Sequence, residues 1–199
     1  MKHVFWQSIM DKQKIDYLEK YSVAVVGSRM VVELLWRSGI GCIRYVSDFV
    51  SQLETLVDCT LDPMEANQYD IVNPKSDESC VISYLLPEDR SELKKIMKGV
   101  DMVVAHKNML EISKIAEEIG IPFVPDLVTT FLPDGVKYWE VEYPRIDRDP
   151  ISYTITCGLQ ALEIIKTLAG YKPILAPEAI LVDLKGGIRR ICLKKIGTA

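Results

Sequence analysis

Short apolar runs alternate with amphipathic segments along the first two thirds of this chain. The apolar, β-branched runs are bounded by glycine, proline or polar residues, a pattern that predicts buried parallel strands. Five such runs occur, at residues 21–27, 42–49, 79–86, 100–106 and 121–128. Segments with helical periodicity lie between them, at residues 30–39, 87–99 and 108–120. Strands that alternate with helices in this way predict an α/β fold, Rossmann-like and doubly wound, with a mostly parallel sheet.

The pattern changes after residue 130. Residues 131–150 combine aromatic, charged and proline residues and predict a crossover loop or hairpin that covers the ligand crevice. Residues 151–199 predict a C-terminal helix and a β-hairpin with a Lys-Gly-Gly turn. The apolar stripe of that helix is expected at Ile155, Leu159, Leu162, Ile165 and Leu168 or Ala169. Residues 1–20 predict an N-terminal helical arm, whereas the periodicity of residues 51–78 is weak. We interpret residues 1–199 as a single domain.

Four polar residues on the predicted helices receive an ordinary structural interpretation. Asn108 stands at the start of a helix with Glu111 three residues later, which predicts a capping box. Glu163 and Lys166 are three residues apart on the C-terminal helix, and this spacing predicts an exposed ion pair. None of the four needs a ligand to explain it.

Composition narrows the classes of function. The chain has 48% hydrophobic and 26% charged residues and a net charge of -4, so neither nucleic acid nor an acidic membrane is expected as a partner. No apolar run reaches the roughly 18 to 20 residues that cross a bilayer, and the N-terminus has no signal-peptide core. A cytoplasmic location is therefore expected.

The cysteines and histidines are distributed in a way that disfavours a metal site held by the protein. The five cysteines are far apart in the sequence and none forms a CxxC pair, which argues against a zinc site and a disulfide framework. Cys42 and Cys192 lie in apolar runs and are expected to be packing residues. Two histidines are too few for a histidine-based metal site.

Doubly wound folds bind ligands at the carboxyl ends of their strands, where the strand order reverses. This rule places residues 27–30, 47–49 and 105–108 around one crevice. The candidates for cofactor binding there are Gly27, Ser28, Arg29, Met30, Asp48 and His106. The candidates for catalysis are Arg29, Lys107 and Asn108.

Several of these candidates also have a simpler explanation. Gly27 makes a tight turn with or without a ligand, and Arg29 either binds a phosphate or carboxylate or forms a surface salt bridge. Asp48 either holds ribose hydroxyls or lies in a turn. Lys107 would neutralise phosphate charge, whereas Asn108 is more often a helix cap.

Three further polar residues end the fourth and fifth predicted strands. His106 is more often structural than catalytic in such a position. Asp126 and Thr129 are candidates for the substrate side of the crevice or for a metal-bound water.

Three stretches of the sequence carry a family resemblance. They read "SVAVVG…LLWRSGIGCIRYVSDF", "GVDMVVAHKNMLEISKIAEEIGIPFV" and "GLQALEIIKTLAGYKPIL". They resemble the opening strand and helix, the central strand and the C-terminal helix of the ubiquitin-activating-enzyme-like adenylating proteins, the ThiF/MoeB/HesA group. The resemblance implies ATP and Mg²⁺ as cofactors, transfer of AMP to a carboxylate, and a homodimer with its nucleotide near the dimer interface.

The sequence departs from that family in its binding motifs. Of the family's glycine-rich loop only Gly27 remains, and the acidic motif after the second strand is reduced to Ser47 and Asp48. The family's catalytic Asp corresponds here to Lys107 or Asn108. Glu54 and Val57 stand where the family has Asn and Arg, and no thioester cysteine is evident.

Three hypotheses on function remain open at this point. The resemblance favours an adenylyltransferase for a small-molecule carboxylate, such as the pyridinol precursor of the iron–guanylylpyridinol cofactor, with a separate acyl-acceptor protein. The lost motifs favour a catalytically inactive dimeric scaffold. A dinucleotide-dependent oxidoreductase is disfavoured, because the second and third glycines of its fingerprint are absent.

Overall fold

The computed structural model describes residues 18–48, 80–146 and 149–197. Apart from a 3₁₀ turn at Leu18–Lys20, the predicted N-terminal arm lies outside the described residues, as do residues 51–78 with Glu54 and Val57. The described part forms β1 (Ser22–Val26), α1 (Arg29–Arg37), β2 (Cys42–Ser47), β3 (Cys80–Leu85), α2 (Arg90–Met97), β4 (Met102–Ala105), α3 (Met109–Ile119), β5 (Phe123–Val124), β6 (Val141–Glu142), α4 (Pro150–Leu168), β7 (Glu178–Asp183), β8 (Gly187–Cys192) and β9 (Lys194–Lys195).

Five parallel strands form the central sheet, in the order β3–β2–β1–β4–β5. Alternate residues of β1 point to opposite faces, so Val23 and Val25 join one apolar layer while Ala24 and Val26 join the other. Side chains of α1 and α4 complete the first layer, and side chains of α2 and α3 complete the second. The predicted α/β, Rossmann-like, doubly wound fold is confirmed.

The fifth strand is shorter than the apolar run that predicts it. It ends at Val124, because Pro125 follows and has no N–H group to continue the ladder. The chain then turns back on itself. The amide of Phe131 donates to the Phe123 carbonyl at 2.8 Å, and the Phe123 amide donates to the Phe131 carbonyl at 2.9 Å. The returning chain therefore covers part of this sheet edge.

The start of α3 corrects the predicted capping box. Asn108 has left-handed backbone geometry, with φ of 49°, and its side chain makes no capping hydrogen bond. A capping residue normally has an extended backbone, which lets its side chain reach back to the first helical amides. Glu111 pairs instead with Arg90, whose Nε lies 2.5 Å from its carboxylate.

The buried face of α4 is wider than the predicted stripe and partly polar. Ile155 is 38% exposed, and Leu159 and Leu162 are only half-buried. The buried side chains are Ser152, Thr156, Cys157, Gln160, Ala161, Glu163, Ile164 and Ile165. The difference arises because α4 contacts α1 on one side and β7 on another, so the helix is enclosed on more than one face.

Glu163 is buried and is not half of an exposed ion pair. Its side chain is 6% exposed, and its carboxylate accepts hydrogen bonds from the Lys166 ammonium at 2.6 Å and from the Ile174 amide at 2.8 Å. This carboxylate therefore ties the C-terminal end of α4 to the loop that leads to β7. The prediction of an exposed ion pair is therefore wrong, because the Glu163 side chain is buried.

The C-terminal region contains the predicted hairpin and one unexpected pairing. Strands β7 and β8 are antiparallel and close at the Asp183–Gly187 pair, which confirms the hairpin. The described residues of the segment 131–150 form no hairpin of their own, because β6 in this segment pairs with strand β9 near the C-terminus. The crossover segment is thereby held by the end of the chain.

Cys42 and Cys192 are not the buried packing residues that the sequence predicts. Cys192 is exposed and Cys42 is half-buried, whereas Cys157 on α4 is completely buried. None of the helices in the described ranges has both the length and the apolar character required to cross a membrane.

Arg44 is expected to stabilise the fold through the end of α2. Its guanidinium donates to the carbonyls of Ile96 at 2.6 Å and Lys98 at 2.7 Å, so a cation satisfies carbonyls at the helix C-terminus. We expect Arg44→Met to lower the free energy of unfolding by about 1–2 kcal/mol in urea titrations. Arg37→Met is the control. It removes only the exposed pair with Glu33 and is expected to cost below about 0.5 kcal/mol. Equal losses would contradict the role of Arg44.

Candidate functional site

The order of the strands reverses between β1 and β4, and the residues that follow these strands meet at one edge of the sheet. The Gly27 amide donates to the Val46 carbonyl, and the His106 amide donates to the Val26 carbonyl, both at 2.9 Å. The turn after β1 is therefore held between the ends of β2 and β4. This is the position at which folds of this class bind ligands.

Gly27 occupies a position that a larger residue would not fit. Its φ of 81° lies in the left-handed region, and a Cβ atom built on it would lie 2.8 Å from Cγ of Lys107. The aliphatic stem of Lys107 thus runs directly over the Gly27 turn. Glycine is needed here because of the turn and because of this close side chain.

Lys107 and Asp48 form an ion pair across the edge of the sheet. The Lys107 ammonium contacts the Asp48 carboxylate, and the two side chains are 45% and 39% exposed. The pair joins the end of β4 to the end of β2 and passes over β1 between them. Two of the residues proposed from the sequence are therefore brought into direct contact.

Tyr45 on β2 lies within electrostatic range of this ion pair. Its side chain on β2 is buried, and burial raises the pKa of its hydroxyl. The positive charges of Arg29 and Lys107 act to lower that pKa, and the negative charge of Asp48 acts to raise it. Two positive charges and one negative charge therefore lie within electrostatic range of the Tyr45 hydroxyl.

Ser28 and Met30 direct their side chains towards the protein. Ser28 is completely buried, and its Oγ lies 2.9 Å from the Tyr153 hydroxyl and 3.6 Å from Sγ of Cys157. The same oxygen accepts from the Val31 amide at 3.4 Å and caps α1. Met30 is half-buried and packs against the apolar layer formed by α1 and α4. Ser28 can therefore reach a ligand only through its backbone.

His106 is buried and held by a residue whose role the sequence interpretation missed. Its Nε2 lies 2.9 Å from Oε1 of Gln160 on α4, and the Gln160 amide nitrogen donates to the Pro125 carbonyl. The bond to Pro125 fixes the orientation of the amide, so Oε1 accepts and Nε2 of His106 carries the proton. Gln160 belongs to the third stretch that carries the family resemblance, and its position among apolar residues of a predicted helix was the signal that could have identified it.

Asn108 and Thr129 lie in different surroundings. Asn108 is exposed beside Lys107, at the uncapped start of α3. Thr129 is completely buried, and its hydroxyl donates to the Glu178 carbonyl at 2.7 Å. The hydroxyl of Thr129 thus has a structural partner on β7.

A small cleft with a cavity volume of about 10 Å³, roughly the space of one water molecule, lies beside this edge of the sheet. Six of its lining residues are His106, Asp126, Ile146, Ser152, Tyr153 and Thr156. They come from the ends of β4 and β5, the crossover segment and the first turns of α4. Asp126, a candidate from the sequence, therefore lines the same cleft as His106.

Among the described residues, no group of three or more His, Cys, Asp or Glu side chains is arranged to hold a metal ion. Single carboxylates do lie at the sheet edge, in Asp48 and Asp126. Such oxygen donors suit a divalent cation that is bound mainly by a nucleotide's phosphates.

Comparison of the whole fold with solved structures finds similarity to PaaA and to E. coli MccB, among others. The chain superimposes on PaaA with a TM-score of 0.64 and 19% sequence identity, over 91% of this chain and 67% of PaaA. It superimposes on E. coli MccB with a TM-score of 0.63 and 17% identity, over 90% of this chain and 64% of MccB.

This chain has the fold of PaaA and MccB. A further structure of E. coli MccB, with AMPCPP and MccA, matches with a TM-score of 0.61 and 16% identity, over 93% of this chain and 67% of that one. The chain thus spans about two thirds of the length of these proteins. Protein-family models give no match to the sequence, and curated protein sequences give no significant match.

Proposed function

We propose that this protein is an ATP-dependent adenylyltransferase that activates a carboxylate as an acyl-adenylate. The observation that carries the proposal is the group of Arg29, Lys107 and Asp48 around the Gly27 turn. Two cations beside a helix start and a strand-end carboxylate are the features that a nucleoside triphosphate requires. In this interpretation residues 1–199 act as one adenylating domain, in the cytoplasm.

Nucleotide binding would require the Lys107–Asp48 pair to rearrange. With ATP present, Lys107 and Arg29 contact the phosphates, while Asp48 accepts hydrogen bonds from the ribose hydroxyls. Both members of the pair are already half exposed, so exchanging one partner for another costs little desolvation. Gly27 and Ser28 contribute backbone, and Met30 and His106 form the floor beneath the nucleotide.

The reaction needs positioning and charge stabilisation more than covalent chemistry by the protein. A carboxylate oxygen of the substrate attacks the α-phosphorus, the bond to the bridging oxygen of the β-phosphate breaks, and pyrophosphate leaves with that electron pair. Arg29 and Lys107 stabilise the negative charge that develops on the phosphate oxygens, and we assign to Asn108 the orientation of the substrate. Mg²⁺, bound mainly through the phosphates of ATP, would supply further charge neutralisation.

The comparisons support this proposal at the level of fold and ligand type. MccB was crystallised with AMPCPP, an ATP analogue, and with MccA, and it shares the fold described above. The resemblance of three stretches of this sequence to the ThiF/MoeB/HesA group points in the same direction. Both support ATP as the cofactor and a second molecule as the acyl partner.

We further propose a small-molecule carboxylate as the substrate and a homodimer as the working form. The chain contains no evident thioester cysteine, so a separate acceptor protein would receive the acyl group on its own thiol. The pyridinol carboxylate precursor of the iron–guanylylpyridinol cofactor is the specific substrate we suggest. Assay of pyrophosphate exchange with that acid examines this suggestion directly.

Calorimetric titration with ATP and Mg²⁺, followed by carboxylate-dependent ATP–pyrophosphate exchange, tests the function. We expect Arg29→Ala to weaken ATP binding by about 10- to 100-fold, as for loss of a hydrogen bond between charged groups. Arg37→Ala, at the opposite end of α1, is the control and should leave ATP affinity unchanged. Absence of ATP binding by the parent protein at millimolar concentration would overturn the proposal and favour the inactive scaffold.

A further inference from the structure

Strand β8 has one edge that no other strand of the described ranges covers. It pairs with β7 on one side, and β7 is joined on its own far side to Val128, through an isolated bridge to Ile180. β8 is therefore the outer strand of this small sheet. All of its residues are exposed except Ile191, which is half-buried. An edge of this kind presents unpaired backbone groups and can accept a further strand.

The register of the β7–β8 pair shows which backbone groups point outward. The Leu193 amide donates to the Pro177 carbonyl at 2.8 Å, so this pair of positions is hydrogen-bonded. In an antiparallel ladder hydrogen-bonded pairs alternate with non-hydrogen-bonded pairs, so every second residue of β8 bonds to β7. The residues whose amide and carbonyl face away from β7 are Ile188, Arg190 and Cys192.

The segment that carries this edge is strongly basic. Residues 184–196 contain five Lys or Arg side chains and no Asp or Glu, although the net charge of the chain is -4. Arg189 forms an ion pair with Asp183 on β7. Arg190 and Lys194 are exposed, and within the described part of the chain neither forms an ion pair with a carboxylate. The edge therefore attracts a partner with negative charge.

The same edge is poorly suited to a second copy of this chain. Antiparallel pairing of β8 with its own copy brings the central arginines close together, and like charges on facing strands are destabilising. Cations on an edge strand can serve this protective purpose alone. Ile188, however, is 60% exposed on the same face of β8 as Arg190. Protection needs no exposed apolar side chain, whereas an added strand would cover it.

We propose that the outer edge of β8 binds an acidic segment of a partner protein, which adds to β7 and β8 as a further antiparallel strand. Backbone hydrogen bonds to residues 188, 190 and 192 supply the affinity, and acidic side chains opposite Arg189 and Arg190 supply the specificity. An apolar residue opposite Ile188 completes the match. This inference does not depend on the proposed enzymatic function.

A designed heptapeptide tests the edge on the chain of residues 1–199. The probe is Thr-Val-Thr-Glu-Glu-Val-Thr, acetylated and amidated at its ends. Its two Glu residues oppose Arg190 and Arg189 when its second residue opposes Cys192. The peptide is titrated into isotopically labelled protein, and amide chemical shifts are followed by NMR. We expect a Kd on the order of 1 mM, with the largest shifts in residues 187–193. Absence of shifts in β8 would overturn the proposal.

Two altered peptides separate the contributions of charge and backbone. Replacement of both Glu residues by Lys reverses the charge and should weaken binding at least about tenfold. N-methylation of the second, fourth and sixth residues removes the amides that face β8, and this peptide should show no detectable binding. If either altered peptide binds as well as the probe, strand addition to this edge is wrong.

A charge-reversal variant tests Arg190. We expect Arg190→Glu to weaken binding of the Glu peptide by about 5- to 10-fold and to strengthen binding of the Lys peptide. Lys114→Glu on the exposed side of α3 makes the same change of charge and is the control. Both side chains are exposed, so the fold should tolerate either change. Equal effects of the two variants would reduce the attraction to general charge and contradict the site.

Ile188→Pro tests the outward backbone amides. It removes an N–H group that faces away from β7, and proline is tolerated at such positions of edge strands. We expect binding of the probe to weaken by about 3- to 10-fold, whereas Ile188→Val keeps the amide and should keep the affinity. Unchanged affinity of the proline variant would contradict the pairing. If this variant fails to fold, the N-methylated peptide examines the same hydrogen bonds on the parent protein.

Dilution of the protein without peptide examines pairing between two copies. We expect the amide shifts of β8 to be independent of protein concentration. Concentration-dependent shifts confined to β8 would show that a second copy occupies this edge, and they would overturn its assignment to an acidic partner.

Discussion

Lys107→Met is expected to weaken ATP binding by about 10- to 100-fold, because the phosphates lose a charged donor. Methionine keeps an unbranched stem of similar length, so the covering of the Gly27 turn is preserved while the charge is removed. Asp48 loses its partner but is 39% exposed, and water can solvate it. We therefore expect a large change in affinity with little change in the free energy of unfolding.

Lys114→Met on the exposed side of α3 is the matched control. It also removes one positive charge, so it corrects for the general electrostatic attraction of ATP to the protein. Calorimetry gives the affinities, and urea titration gives the stability of each variant. If Lys107→Met and Lys114→Met bind ATP equally well, Lys107 is only a member of a surface ion pair.

Gln160→Leu is expected to lower the free energy of unfolding by about 2–4 kcal/mol. Gln160 is completely buried and bridges Nε2 of His106 and the carbonyl of Pro125. Leucine has a similar volume, so the packing of α4 is nearly retained. The imidazole N–H and the carbonyl are then left in the interior without this partner, and each costs about 1–3 kcal/mol.

Thr154→Val on the same helix is the control for Gln160→Leu. Thr154 also donates a side-chain hydrogen bond, to the Pro150 carbonyl at 2.9 Å, but it is exposed and water can replace that bond. We expect its stability to change by less than about 0.5 kcal/mol in urea titrations. A loss for Gln160→Leu as small as that of the control would show that the bridge does not hold the ends of β4 and β5.

The positions of the central strands were predictable from the sequence, because parallel strands buried on both faces leave apolar, β-branched runs. The meeting of Gly27, Asp48 and Lys107 at one edge follows from the same pattern, since parallel strands end on the same side. The contact between Asp48 and Lys107 was not predictable. It depends on which strand neighbours which, and residues 48 and 107 are far apart in the chain.

Helix α4 shows where helical periodicity fails as a guide. The sequence places Ile155 in the buried stripe, but this residue is 38% exposed while Gln160 and Glu163 are buried. The prediction of a single apolar stripe assumes that the helix packs on one surface, whereas α4 contacts both α1 and β7. Polar residues are tolerated inside because strand ends and loops offer them partners, as Pro125 and Ile174 do.

The sequence by itself determined the order of strands and helices, the glycine turn after β1 and the polar residues at the strand ends. These are local properties, set by side-chain periodicity and by the backbone requirements of glycine. Only the tertiary structure decided that Lys107 covers Gly27, that Ser28 faces Tyr153, and that His106 and Asp126 share a cleft. Those relations depend on how α4 packs against the sheet. The periodicity of side chains in a single sequence does not show which distant residues are in contact.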